Sequence, residues 1–321
     1  MLQPLIYFIE SMANILIIYP DYFRNFKCIK GECRHNCCIG WEIDIDEDTL
    51  TYYDSVAGDI GERIRRSISR DETPHFILGE NDRCPFLNKS NLCDIIIELG
   101  EDHICGICTD HPRFKNDLPG RCEIGLGLCC EAAGRIILGK KEPSKLVGDT
   151  ETDDEIIILR DKIILALQNR VKGIPERITD MLELCNTSMP SRSFDDWVTV
   201  LLDLERLDDR WTDTLNNLRL NYNSADLDGF ELHMKSRQIE YEQLLVYFIY
   251  RHFANAFDLI DASSRALFAA FGYMMIHAIG AVMYTQNGRF DFEDQVELAR
   301  TFSSEIEYSE ENLNYLLEEF L

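Results

Sequence analysis

The chain has 321 residues, 45% of them hydrophobic and 28% charged, with a net charge of −25 and a pI near 4.6. That length allows one large domain or two modest ones with buried cores, and the composition is that of a folded globular protein. Such acidity excludes a nucleic-acid partner, which needs a basic footprint, and suits either a cationic partner such as a lysine-bearing protein or a solvated surface.

The opening run MLQPLIYFIESMANILIIYP is apolar but lacks a basic flank and a small-residue cleavage site, so it does not read as a signal peptide. Residues 1–18 read as an N-terminal extension. Residues 19–140 hold eleven of the twelve cysteines, from Cys28 to Cys130, and only Cys185 lies outside. Gly, Pro, Asn and Asp break the chain between them. The pattern predicts short helices over 47–56, 60–69, 92–100 and 131–138, joined by loops that metal ligands tie together. The polar stretch 141–153 reads as a linker. Thr152 with Glu155 resembles a capping box opening a helix that runs to about Arg170.

Helices are then expected over 175–186, 194–206, 236–258, 262–285, 291–305 and 309–320. Ser193 with Asp196 caps one start, and Ser309 precedes Leu313, Leu316, Leu317 and Phe320 at helical spacing. The run Ala266–Tyr284 is long enough to cross a membrane. The neighbouring apolar run 241–257 is interrupted by Arg251 and His252, and two adjacent core helices account for both runs. No membrane partner is expected, and the location is expected to be cytoplasmic. The expected fold is mostly α, with a cysteine-rich metal-binding region of short helices and loops packed against a metal-free C-terminal helical bundle over 154–321.

The cysteines fall in four groups: Cys28, Cys33, Cys37 and Cys38; Cys84 and Cys93; Cys105 and Cys108; Cys122, Cys129 and Cys130. Disulfides do not suit an intracellular chain. Buried free thiols would account for Cys185, and for Cys105, Cys122 and Cys129, but not for four cysteines within eleven residues. The flanks of Cys105–Cys108 lack the strand-then-helix context of a redox CxxC. Metal ligation is the favoured reading. Irregular spacings drawn from several loops suit an iron–sulfur cluster better than paired zinc knuckles, while one cluster, two, or a cluster with a zinc remain open. His35, His103 and His111 stand beside these groups as ligands, as hydrogen-bond donors to a ligating sulfur, or as plain loop surface.

The runs YFRNFKCIKGECRHNCCIGWEIDIDEDT, CPFLNKSNLCDIIIELGEDHICGICTDHPRF and EIGLGLCCEAAGRIIL resemble, in this order, the flagellin lysine-N-methylase (FliB) family, within a broader group bearing a CxxCxxCC cluster. The run EQLLVYFIYRHF is similar to a further family segment. The resemblance implies a methyltransferase that uses S-adenosylmethionine, contains an oxygen-sensitive 4Fe-4S cluster, and modifies lysine on flagellin or a similar surface. Carried over position by position, it implies Cys28, Cys33, Cys37, Cys38, Cys84, Cys93, Cys108 and Cys130 as metal ligands. Gly40, Trp41, Asp46, Pro112, Arg113, Tyr247 and Arg251 also fall on the family pattern. Two departures stand out: Cys129-Cys130-Glu131 replaces the usual Ser-Cys-Pro-Glu, and His111 replaces a tyrosine.

Methyl transfer to lysine needs a neutral amine, hence a base or a desolvated pocket. No segment has the Gly-rich, strand-first cofactor site of the doubly wound methyltransferases, so a cluster iron free of protein ligand is the expected place for S-adenosylmethionine. Trp41 is a candidate to stack on its adenine, and Arg113 and Arg251 to grip its carboxylate. Tyr247 completes the cofactor-contact set. Core packing and ion pairing are the alternatives for all four. No catalytic residue is assigned. Two other functions stay open: a related cluster enzyme acting on another peptide or protein, and a non-catalytic zinc-stabilised interaction module.

Overall fold

The computed structural model describes residues 16–321; the first 15 residues, and with them most of the expected extension and the reading of the opening run, lie outside the described residues. The described residues divide into two compact units: residues 27–113, and residues 16–26 together with 114–321. The stretch expected as a linker lies within the second of these. Fourteen α-helices and six short strands occur among the described residues.

In chain order, strand β1 (Leu16–Pro20) comes first, followed by the whole 27–113 unit. That unit contains helices α1 (Glu47–Ser55) and α2 (Gly58–Arg66), a hairpin of β2 (Ile68–Ser69) with β3 (His75–Phe76), and helices α3 (Asp94–Leu99) and α4 (Gly106–Asp110). Asp46 starts α1 by accepting the Thr49 amide, the usual N-cap device. The expected 60–69 helix ends at Arg66 because Ile68 turns to pair with Phe76. The core is small. Ile43, Tyr53, Ile64, Phe76, Phe86 and Ile95 are buried in it together with Cys84 and Cys105.

The second unit carries a four-stranded sheet in the order β4 (Arg113–Leu118), β5 (Arg121–Leu126), β1, β6 (Leu146–Val147). Strand β1 runs parallel to β5, with Ile17 opposite Cys122, and antiparallel to β6. Gly120, at φ +77°, closes the tight turn between β4 and β5. No sheet was expected from the sequence. Every residue of β5 is buried, so it shows no in–out alternation to read.

Helix α5 (Glu131–Leu138) follows the sheet, and then α6 (Glu155–Leu167), α7 (Ile174–Leu184), α8 (Phe194–Asp203), α9 (Asp209–Asn221), α10 (Leu227–Met234), α11 (Gln238–His252), α12 (Leu259–Asn287), α13 (Phe292–Phe302) and α14 (Glu310–Glu319). Ser193 and Asp196 form the expected capping box, and Ser309 caps α14. The Thr152 box does not form. Asp154 caps α6 instead, because its carboxylate reaches two amides, those of Ile156 and Ile157. The expected 236–258 helix closes at His252, where a 3-10 turn takes over. Helices α9 and α10 were not expected; their apolar anchors Trp211, Leu215, Leu218, Phe230 and Met234 are sparse among polar residues.

Helix α12 is the axis of this unit and packs against α7, α9, α11, α13 and α14. Its length and hydropathy would suffice to cross a membrane, yet 78% of its most apolar window is buried inside the protein. It begins at the Asp258 cap and ends at Gly288, φ +67°. Gly272 and Gly280 let the Phe248 and Phe230 rings lie against its backbone.

Candidate metal centre and buried polar site

Within the 27–113 unit, four loops bring sulfur atoms toward one core. The Cys84 amide donates to the Cys38 carbonyl at 2.8 Å, and Cys93 pairs with Leu87 across an antiparallel bridge. Cys38, Cys93 and Cys108 pack against the core that contains Cys84 and Cys105. Electrostatics report the same proximity. The Cys84 and Cys93 sulfurs raise the pKa of Cys38, and the Cys38 and Cys84 sulfurs that of Cys108. Mutual interaction within the Cys37–Cys38 and Cys105–Cys108 pairs pulls Cys37 and Cys105 down and pushes Cys38 and Cys108 far up. Burial lifts Cys84 to about 11 and also raises Cys93, against the pull of nearby backbone amides.

Three side chains hold these loops. Arg63 on α2 donates to Asp94, next to Cys93, at 2.7 Å and to the Pro85 carbonyl, next to Cys84, at 2.6 Å. Asp46 accepts the Gly106 amide between Cys105 and Cys108 at 2.8 Å. The buried Tyr53 hydroxyl donates to the His103 carbonyl at 3.0 Å and stands 3.9 Å from the Cys105 sulfur. Of the rest of the first group, Cys28 and Cys37 are exposed and Cys33 is half-buried. The Cys28 sulfur accepts the Lys30 amide at 3.4 Å. Trp41 donates to the Cys37 carbonyl at 2.6 Å and leans on the His111 ring. Arg113 donates to the Thr109 carbonyl at 3.1 Å.

Among the described residues, no three His, Cys, Asp or Glu side chains close on a single point that could hold one metal ion. The donor set is all thiol: Cys84 and Cys105 are buried, and Cys38, Cys93 and Cys108 are half-buried around the same core. That chemistry fits a polynuclear iron–sulfur group, whose ligands stand further apart than those of one tetrahedral ion. Cys105 belongs to this gathering although its sequence context alone reads as a buried free thiol. The glycine that follows it, held by Asp46, was the available signal.

The other unit holds a second concentration of chemistry. Tyr247 and Arg251 lie one turn apart on α11. The Tyr247 hydroxyl donates to the Glu307 carboxylate at 3.1 Å, and accepts from the Leu128 amide at 3.2 Å and from Arg251 at 2.7 Å. His252 reaches the same carboxylate at 2.6 Å. The Arg251 guanidinium lies over the Phe114 and Tyr308 rings. Glu307 ends a short π-helical segment, Ser303–Glu307, an uncommon geometry that recurs at functional sites. Burial pushes Glu307 up, but the Arg251 charge and the His252 contact outweigh it and leave the carboxylate below its ordinary value. Burial holds His252 down in spite of Glu307.

Cys129 stands at the edge of this network. Burial lifts its thiol to about 12, while Tyr308 and Arg251 oppose that rise. Cys130 is the N-cap residue of α5, and Cys122 lies within β5. Nothing in the sequence singles out Glu307, one acidic residue in a run of them; the π turn and its burial do. Chemically, the network holds an ionised carboxylate in contact with both a neutral imidazole and a phenol, the elements of a proton relay.

The FliB lysine N-methylase C-terminal domain matches residues 126–321. Two curated relatives, both called lysine-N-methylase, come from Salmonella choleraesuis (strain SC-B67) and Salmonella typhimurium (strain LT2). Each is 26% identical over 141 residues, covering 39% of this chain and 33% of the relative. The flagellar biosynthetic protein FliU of Salmonella muenchen is 25% identical over 140 residues, covering 39% of this chain and 79% of FliU. The match thus spans about a third of the two lysine-N-methylases. No solved structure matches the chain.

Proposed function

This chain belongs to the FliB lysine N-methylase family, and we propose that it is an iron–sulfur-containing, S-adenosylmethionine-dependent methylase of lysine on flagellin or a similar protein surface. Membership of the family is the observation that carries the reading. The gathering of thiols in the 27–113 unit supports the cluster. The proposed ligands within that unit are drawn from Cys28, Cys33, Cys37, Cys38, Cys84, Cys93 and Cys108. A cluster iron free of protein ligand would supply a coordination position for the amino and carboxylate groups of the methyl donor. Trp41 and Arg113 are the proposed cofactor contacts of that unit, and the proposed setting is cytoplasmic.

The chain's own residues supply the remaining requirements. Lysine must lose its proton before it can attack a sulfonium carbon. The contacts among Tyr247, His252 and Glu307 suit a group that receives a proton, since the carboxylate is ionised and the imidazole neutral. A net charge of −25 favours the approach of a cationic protein acceptor.

The test begins with anaerobic purification and assay of iron and labile sulfide, in native protein and in Cys84→Ala and Cys185→Ala variants. Native protein should carry both elements in similar amounts, Cys84→Ala should lose them, and Cys185→Ala should not. Mass spectrometry of flagellin incubated with the loaded protein and S-adenosylmethionine should then show added methyl groups on lysine. Stoichiometric zinc without sulfide would remove the cluster. Cofactor binding with unmodified flagellin would redirect the search to another protein or peptide.

A further inference from the structure

We propose that Cys105, which lies outside the set carried over from the family pattern, is a metal ligand in this chain, and that Tyr53 is a positioning residue whose hydroxyl, now donating to the His103 carbonyl, turns to donate to the Cys105 sulfur once that sulfur is a metal-bound thiolate. This rests on reading the 27–113 unit as a cluster site.

Two buried cysteines allow a comparison. Cys185 is buried, and burial is the sole cause of its raised pKa, to about 11. It behaves as a small hydrophobe in a helical core. Cys105 is just as buried, at 1% exposed, but its surroundings are polar and built. Cys108 packs against the same core, the Tyr53 hydroxyl stands 3.9 Å from the Cys105 sulfur, and Asp46 anchors the turn that follows. The following residue, Gly106, donates its amide to Asp46 at 2.8 Å, and a Cβ there would come within 3.3 Å of the same carboxylate. The turn thus presents both sulfurs of Cys105-Gly106-Ile107-Cys108 to the core that Cys38, Cys84 and Cys93 line. A merely space-filling thiol needs none of this.

Tyr53 follows from proton counting. Its hydroxyl has one hydrogen and two neighbours, the His103 carbonyl at 3.0 Å and the Cys105 sulfur at 3.9 Å. A protonated Cys105 can donate to the phenol oxygen while Tyr53 donates to His103. A metal-bound thiolate has no hydrogen to give and becomes an anionic acceptor, and charge-assisted bonds of that kind are the stronger ones. Hydrogen bonds to ligating sulfur stabilise the more negative, reduced state of an iron–sulfur cluster and so raise its reduction potential.

The experiment uses the full chain, reconstituted anaerobically with iron and sulfide, as native protein and as Cys105→Ser, Tyr53→Phe and Cys185→Ser. Iron content, the paramagnetic resonance spectrum of the reduced protein and a redox titration are the readouts. Cys105→Ser should lose iron or change the spectrum. Tyr53→Phe should keep the native iron content but shift the potential downward. Cys185→Ser should match the native protein. Native iron content and an unchanged spectrum in Cys105→Ser would overturn the ligand assignment, and an unchanged potential in Tyr53→Phe the positioning role. Tyr53→Phe removes only a hydroxyl, so it keeps the test standing if Cys105→Ser fails to fold. A native chain that takes up no iron ends the cluster reading and this one with it; a loaded native chain with indifferent variants ends this one alone.

Discussion

The Asp46 carboxylate accepts the Gly106 amide at 2.8 Å while also accepting the Thr49 amide at 2.9 Å, so one side chain ties the start of α1 to the Cys105–Cys108 turn. Removing a helix N-cap alone costs about 1 kcal/mol. Asp46→Ala should cost more than that, because the turn loses its anchor as well. Urea denaturation of the metal-free protein measures it, and an unchanged midpoint would show that the tether does not matter.

Glu307 is predicted to be the most costly single polar residue to remove from the second unit. Glu307→Ala leaves the Arg251 charge and the Tyr247 hydroxyl buried without their partner, a loss of about 3–5 kcal/mol for a broken buried pair. Tyr247→Phe orphans the Leu128 amide and should cost about 1–3 kcal/mol. Equal stability of the two variants in chemical denaturation would contradict this ranking.

Stability should fall with acid in two steps. His252 is held below its ordinary 6.5 in the folded protein, so the unfolded chain takes up the proton first and stability declines as pH drops below that value. Glu307 is held below its ordinary 4.5, so its contribution is present above that pH and lost as pH falls further. Half-buried His277 acts in the same direction as His252. Melting temperature should therefore decrease from about pH 7 to about pH 4, with a shallower first step in His252→Gln. A flat profile across that first step in the native protein would contradict the assignment.

Gly272 on α12 is predicted to tolerate no side chain cheaply. An added Cβ would lie 2.9 Å from the Phe248 ring and 3.4 Å from Phe302. Overpacking of this kind costs about 1–3 kcal/mol, against the modest gain in helix propensity that alanine brings. Gly272→Ala should lower the melting temperature. A rise would mean that the Phe248 ring moves aside freely.

Much of the helical architecture was legible in the sequence because its signals are local. A capping box such as Ser193 with Asp196 acts across three residues, and the apolar spacing of α14 repeats within two turns. The same locality explains the error at Thr152, where a second capping residue two positions on made the better contact. The cysteine groups were set apart by their spacing, and the fold gathers Cys38, Cys84, Cys93, Cys105 and Cys108 at one core.

What only the tertiary structure decided depends on contacts between residues far apart in the chain. Strand β1 pairs with β5 about a hundred residues later, and no periodicity within either strand encodes that partner. Cys105 looks like filler until Asp46 and Tyr53 are seen beside its turn. Tyr247 and Arg251 stand out in the sequence only through the family resemblance, and their shared partner Glu307 arrives from a π turn near the far end of the chain. Helix and cap signals are set by a residue's immediate neighbours, so the sequence carries them openly. The assembly of a site is set by which surfaces bury together, and that becomes visible only once the chain has folded.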